Sequence, residues 1–370
     1  MALQELLKEW PEIRVAETLA STTEQRVLGA ISKDILTIED FLALLSPAAL
    51  PHLETIAERA NALTRRHFGN SILIFTPIYI SDFCENGCTY CSFSSKHHMK
   101  RHHLSIAEIE LEAKLISETG IRHILMLTGE APKKANIIYL QDAVSVLKRY
   151  FSAPAIEIYA LDSDGYAKLA ACGADALTIY QETYNRELYP AYHPAGPKAD
   201  YDFRLEAPER ALSNGFRAVT IGPLLGLADR ITDAVSTAIH LDYLQNKYSA
   251  AELSVSLPRI RPINQDISIR YPVHDREFVQ MILAFRLLKP HMGLTVSTRE
   301  SKSMRNALLR LGATKMSAGV STAVGGHSAK ETSGQFEIDD SRSVDEMKND
   351  LLNLGFQPVM HDWNHRFSLE

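Results

Sequence analysis

Three of the chain's four cysteines fall within eight positions, as Cys84, Cys88 and Cys91 in the run CENGCTYCSF. A structural zinc site closes with four ligands, whereas an iron–sulfur cluster held by three thiolates leaves one iron open to an external ligand. The spacing Cys-x3-Cys-x2-Cys, with no fourth thiol beside it, therefore points to an open metal site. The zinc alternative would draw histidines from KHHMKRHH, beginning at Lys96. It lacks the second Cys-x2-Cys knuckle usual in zinc ribbons. The His-rich run reads instead as a solvated basic loop, and Cys172, in LAACGAD, as a small buried apolar side chain at a helix end.

Such a loop must be carried by something rigid. Eight short β-rich runs follow one another along the chain: SILIFTPIYI from Ser71, IRHILMLTGE from Ile121, AIEIYALD from Ala155, DALTIYQE from Asp175, RAVTIGPLL from Arg217, ELSVSLPRI from Glu252, GLTVSTRE from Gly293 and TKMSAGV from Thr314. Helical spacing separates many of them, over 104–119, 202–213, 229–247, 275–288 and 301–311. This alternation predicts an α/β fold, a (β/α)8 TIM-type barrel over residues 71–322, with an open doubly wound sheet as the alternative. Residues 1–70 read as a helical extension packed across the barrel, with a capped amphipathic helix after Pro51. Residues 323–370 hold a glycine-rich stretch, VGGHSAKETSGQF, suited to a lid, and a final barrel helix in SVDEMKNDLLNLG. Barrel sites lie at the C-terminal strand ends. Those ends here offer Thr128, Gly129 and Glu130, then Glu157 and Tyr159, Gln181 and Glu182, Gly222 to Gly226, Arg259, and finally Ser297, Thr298 and Arg299.

Composition narrows the partners. Lys plus Arg number 39 against 45 Asp plus Glu, with no long basic tract, which disfavours nucleic acid. No apolar run is long enough to cross a membrane, and the N-terminus lacks the pattern of a secretory signal. Clustered rather than paired cysteines argue against a disulfide framework and for a reducing cytoplasm.

The cysteine loop, with Tyr90 just before its last thiol, resembles the radical S-adenosylmethionine superfamily. That resemblance implies a [4Fe-4S] cluster on Cys84, Cys88 and Cys91, with S-adenosylmethionine bound through its amino and carboxylate groups to the open iron. Thr128-Gly129-Glu130 stands where the superfamily usually has Gly-Gly-Glu, which binds the cofactor's amino group; a threonine replaces the first glycine here. Glu182 and Arg204 are similar to a pair that holds the methionine and ribose parts, with a structural ion pair as the competing reading. Glu157 counts with the cofactor contacts, Gly222 and Gly226 with a stretch beside adenine, and Tyr90 with a backbone contact to adenine.

Further segments, among them YQETYN, FRLEAPERA, LLGLAD, SVSLPRIRP, STRES and FQPVMHDW, resemble the tyrosine lyase family of thiamine thiazole biosynthesis, the 2-iminoacetate synthases. Related lyases mature [FeFe]-hydrogenase, one of them with a second cluster on extra cysteines that this chain lacks, or cleave tryptophan. The family implies Cα–Cβ cleavage of L-tyrosine to 2-iminoacetate and p-cresol. It implies thiazole synthase as a partner and a flavodoxin-type or ferredoxin-type reductant. Arg299 is then the candidate for the substrate carboxylate, Ser297 and Thr298 its supporting donors, and Arg259 and Arg261 the alternatives. Tyr90 is placed to face both cofactor and substrate. The competing readings are a salt bridge for Arg299, cleavage of another aromatic amino acid, and a zinc-stabilised binding module.

Overall fold

A computed structural model describes residues 2–261, 269–328 and 334–361. Eight parallel strands form a closed barrel: β1 (Ser71–Ser81), β2 (Ile124–Thr128), β3 (Ala155–Glu157), β4 (Ala176–Glu182), β5 (Ala218–Pro223), β6 (Glu252–Ser256), β7 (Gly293–Val296) and β8 (Lys315–Ser317). Each pairs with the next in order, and β1 closes the ring by pairing with both β8 and β2. The open-sheet alternative is thereby excluded. The strands are apolar nearly throughout because they face side chains inside the barrel and helices outside; β1 is buried from Ile74 onward apart from its first residues.

The helices start where short polar side chains can bond the free N–H groups of a first turn. Ser105 and Glu108 form a reciprocal cap at Ile106–Glu118, Asp229 caps Arg230–Lys247, and Ser343 with Glu346 caps Val344–Asn353. The segment expected as one helix over 202–213 is two, Tyr201–Leu205 and Ala207–Ser213, divided at Glu206. Pro208 lacks the N–H that a continuous helix would use. The helix after Pro51, Leu53–Phe68, begins without a side-chain cap, since a 3-10 turn over Pro47–His52 runs directly into it.

The N-terminal helices rest on the outer helices that follow β5 and β6. Phe41 meets Phe285 edge to face at 4.9 Å, and Gln280 Nε2 donates to the carbonyls of Leu44 and Ser46. A ninth strand, β9 (Gln357–Val359), was not anticipated. It pairs with Ser71–Leu73 of β1, below the point where β2 takes over that edge at Thr76. Three residues, one of them a proline, carry too little pattern to announce a strand. Residues 362–370, including the end of FQPVMHDW, part of the glycine-rich stretch and Pro262 of SVSLPRIRP lie outside the described residues. Among the described residues no helix is long and apolar enough to cross a membrane.

Candidate active site

One cavity opens at the C-terminal end of the barrel and holds about 1440 Å3 of empty space, its solvent mouth included. Cys84, Cys88 and Cys91 line it together with Tyr90, Thr128, Gly129, Glu130, Glu157, Glu182, Arg204, Ser297, Thr298 and Arg299. Residues separated by more than 200 positions in sequence are thus brought to one wall.

The cysteine loop follows β1 and is stitched from within. Arg101 donates to the carbonyls of Asp82, Phe93 and Ser94 at 2.6–2.8 Å, and His102 bonds Asp82 through its N–H. His103 packs on Tyr139 with ring centroids 4.2 Å apart. The second half of KHHMKRHH is therefore the loop's scaffold, and only Lys96 to His98 and Lys100 are exposed. Burial pushes the Cys88 thiol up to about 11 and raises Cys91 as well, so these thiols stay protonated until a cation is supplied. Among the described residues no three His, Cys, Asp or Glu side chains converge as a single-ion site needs. A cluster's thiolates each bind a different iron and have no need to converge, so an all-sulfur donor set on one preformed loop fits an iron–sulfur cluster and leaves zinc without its ligands. Cys172 stands apart, half-buried rather than buried, with Gln141 Nε2 3.5 Å from its sulfur.

The end of β2 tucks under this loop. A Cβ on Gly129 would lie 2.4 Å from the carbonyl oxygen of Phe83, so only glycine lets the two backbones meet. Glu130 accepts from Asn86 Nδ2 at 2.6 Å, and Asn86 Oδ1 in turn accepts from the backbone of Lys198 at 2.9 Å. Asn86 is the middle residue of CENGC and binds the cysteine loop to two other strand ends. It was not anticipated, because an asparagine between two cysteines carries no spacing signal.

At the end of β4 the chain shifts register, and Glu182 takes φ 72°, the one non-glycine residue with positive φ among those described. That kink aims its carboxylate inward, to 2.5 Å from Lys198 Nζ and 3.5 Å from Arg204 Nη2. Burial would raise the Glu182 carboxyl, but Lys198 and Arg204 together outweigh it and hold it below its usual range. Arg204 is further fixed by donating from Nε to the carbonyl of Tyr180 at 2.7 Å. The expected pair is thus a triad, and Lys198, on the loop after β4, is the cation that sequence reading missed. Glu157 carries no such partner among the described residues, and burial, reinforced by the nearby Glu182, pushes it up to about 7.

Tyr90 lines the cavity, but its hydroxyl is engaged by His193 Nε2 at 2.7 Å. His193 Nδ1 faces the carbonyl of Tyr189 at 2.9 Å and so carries the proton, while burial holds the ring neutral with a pKa of about 3. Tyr90 therefore presents its ring, not its hydroxyl. Gly222 does not line the cavity. Its missing Cβ would sit 1.9 Å from the carbonyl oxygen of Ser256, so glycine there serves the approach of β5 to β6, and Leu224 occupies the wall instead.

The three arginines weighed for a substrate carboxylate separate cleanly. Arg259 is bound to Glu300 and to Asp275, and Arg261 to Asp339 and to the carbonyl of Arg299. Arg299 faces the cavity with its guanidinium stacked on Phe336 at 3.6 Å, and no carboxylate pairs with it among the described residues. Burial pulls its pKa below the ordinary value. Phe336 and Gln335 form a strap over this wall: Gln335 accepts from the Tyr79 hydroxyl at 2.9 Å and approaches Cys91 Sγ at 3.7 Å, while Ser92 Oγ donates to the Gln335 carbonyl at 2.6 Å.

Comparison with known proteins agrees with this arrangement. The Radical SAM superfamily matches residues 78–236 and the Biotin and Thiamin Synthesis associated domain matches residues 256–357. The 2-iminoacetate synthase of Escherichia coli (strain K12) is 37% identical over 358 residues, 96% of this chain and 94% of that protein. The Salmonella typhimurium 2-iminoacetate synthase is 36% identical over the same shares. The chain belongs to the 2-iminoacetate synthase family.

Solved structures related to this family include HydG, a maturase of the [FeFe]-hydrogenase, with a TM-score of 0.89 and 30% identity over 94% of this chain and 80% of that one. HydG from Carboxydothermus hydrogenoformans gives 0.88 at 28% identity, over 97% of this chain and 85% of that one. As a radical S-adenosylmethionine enzyme, this 2-iminoacetate synthase family member uses a [4Fe-4S] cluster and S-adenosylmethionine.

Proposed function

We propose that the chain is a tyrosine lyase that cleaves the Cα–Cβ bond of L-tyrosine to give 2-iminoacetate and p-cresol, the former destined for the thiazole of thiamine. The observation that carries this reading is the presence, in one cavity, of a three-thiol loop, its middle thiol buried, and an uncommitted guanidinium from the turn after β7. The family relatives named for 2-iminoacetate support the product.

In this reading Cys84, Cys88 and Cys91 hold the cluster, and Glu130, Glu157, Glu182 and Arg204, with Lys198, receive S-adenosylmethionine. That wall brings carboxylates and cations together, as the ammonium and carboxylate of a methionine moiety require. When bound and reduced, the cluster and cofactor supply a 5'-deoxyadenosyl radical able to take a hydrogen atom from the substrate amino group. Arg299 grips the substrate carboxylate with its planar fork, and Ser297 and Thr298 line the same wall. The amino group is thereby held at a fixed distance from the cofactor side, and position governs hydrogen abstraction. Thr128 and Tyr90 shape the cofactor side through backbone and ring. The strap of Gln335 and Phe336 keeps water away from an imine that it would hydrolyse. Thiazole synthase is the protein that would take over this imine, a flavodoxin-type or ferredoxin-type protein the electron donor, and the cytoplasm the compartment that keeps the thiols reduced.

The test is anaerobic reconstitution with iron and sulfide, followed by reduction with S-adenosylmethionine and tyrosine. Stoichiometric 5'-deoxyadenosine and p-cresol, both lost in Cys88→Ala, are expected. Deoxyadenosine without p-cresol would mean radical chemistry on another substrate.

A further inference from the structure

The cavity floor carries a hydroxyl that none of the roles above employs. Thr295 lies on β7 and faces the cavity, on the strand that leads up to Ser297 and Arg299. It is 9% exposed, and its Oγ1 has no hydrogen-bond partner among the described residues. A buried hydroxyl left unpaired is destabilising, and native structures seldom leave one without a partner. Such an atom on the wall of a ligand cavity is placed for a ligand atom.

Its surroundings define that atom. Ser256 stands beside Thr295 in the β6–β7 register, and Ser256 Oγ accepts from the Tyr180 hydroxyl at 3.0 Å. The neighbouring polar group is therefore already occupied as an acceptor. The cavity is also walled by Phe75, Leu125 and Leu127, which suit an aromatic ring, and by Thr178 and Ser317; Thr295 is the lining residue whose buried hydroxyl lacks a hydrogen-bond partner among the described residues. Thr295 lies within β7 and Arg299 in the turn beyond its end, so the two groups reach the cavity at different levels along the barrel.

We propose that Thr295 receives the phenolic hydroxyl of the substrate and is the residue by which this site prefers tyrosine to phenylalanine. The inference rests on the tyrosine reading given above. Arg299, in the turn beyond β7, fixes one end of the substrate and Thr295, within β7, the other, so the ring is held between two polar points and the Cα–Cβ bond has little freedom to turn. An analogue without the hydroxyl leaves Thr295 buried and unpaired, which is the arrangement that rejects substrates most strongly.

The experiment compares the wild type with Thr295→Val, which keeps the branched shape suited to a strand but has no hydroxyl, and Thr295→Ser, which keeps the hydroxyl. Dissociation constants for tyrosine and for phenylalanine are measured by calorimetry on the cluster-loaded, S-adenosylmethionine-bound enzyme, and kcat/KM for p-cresol release alongside. We expect Thr295→Val to weaken tyrosine binding at least tenfold with phenylalanine binding unchanged or improved, and Thr295→Ser to keep most of the wild-type preference. A Thr295→Val enzyme that retains the preference, or that loses both ligands in parallel, overturns the assignment. A wild type that binds and turns over tyrosine while this occurs leaves the lyase reading standing. A wild type that neither binds tyrosine nor forms p-cresol brings down both.

Discussion

Arg299 is a half-buried cation with an aromatic ring beneath it and no anion in contact among the described residues, while its two neighbours in the sequence reading are both consumed by carboxylates. A guanidinium left in this state is poised for a ligand carboxylate, and lysine would not replace it, since a point charge lacks the two parallel donors. Arg299→Lys should raise the KM for tyrosine on the order of a hundredfold while the visible spectrum of the cluster and the affinity for S-adenosylmethionine stay at wild-type values. A parallel loss of cofactor binding would show instead that Arg299 shapes the whole cavity. Much of this site was legible one residue at a time. The thiols announce themselves by spacing, Glu130, Glu182 and Arg299 by standing at or just beyond strand ends, and Arg204 by its place on a helix that follows β4. Lys198 and Asn86 were not legible, because each matters through a partner on a different loop: Lys198 through Glu182, Asn86 through Glu130. A chain written in one dimension does not display such pairings. Tyr90 lines the cavity with its hydroxyl held by His193, and Gly222 sits against the backbone of β6 rather than on the cavity wall, contacts that the sequence does not display.

At the scale of elements, the barrel was readable because all eight of its strands are apolar runs bounded by polar or glycine residues. The breaks between elements were less readable, as at Glu206, where a local proline outweighs a continuous helical pattern. Gly222 gives the sharpest consequence of element packing. A methyl group there would meet a carbonyl oxygen at 1.9 Å, and no rotamer change can relieve a clash with backbone. Gly222→Ala should therefore lower stability by at least about 2 kcal/mol, seen as a clear drop in melting temperature or as insolubility. Gly29 offers the control. It lies within the helix Glu24–Ser32 with open space around it, and Gly29→Ala should stabilise the protein by about 0.5–1 kcal/mol. Equal effects of the two substitutions would contradict the close approach of β5 and β6.

Over the whole molecule, the most exposed dependence on conditions lies away from the cavity. Asp233, on the helix Arg230–Lys247, is buried; one carboxylate oxygen accepts from Thr183 Oγ1 and from the Tyr184 N–H, and the other has no partner among the described residues. Burial pushes its carboxyl up to about 7 from 3.8. The native state therefore keeps a proton that the unfolded chain gives up, so the stability Asp233 contributes is complete below pH 4 and is lost as pH rises through 7. Asp233→Asn should remove that loss and make the apoprotein more stable than wild type at pH 8, on the order of 2 kcal/mol, with the difference shrinking toward pH 5. Chemical denaturation at several pH values would show this, and a difference independent of pH would refute it.

The small strand β9 has a consequence for how the molecule comes into being. It completes the lower edge of β1, the first strand of the barrel to leave the ribosome, yet it is made after every other strand. At about 5–20 residues per second, the start of β1 waits tens of seconds during synthesis with part of its hydrogen-bonding edge unmatched. The base of β1 therefore stays open on that side until β9 has been made, after the eight strands of the ring are already able to pair with one another.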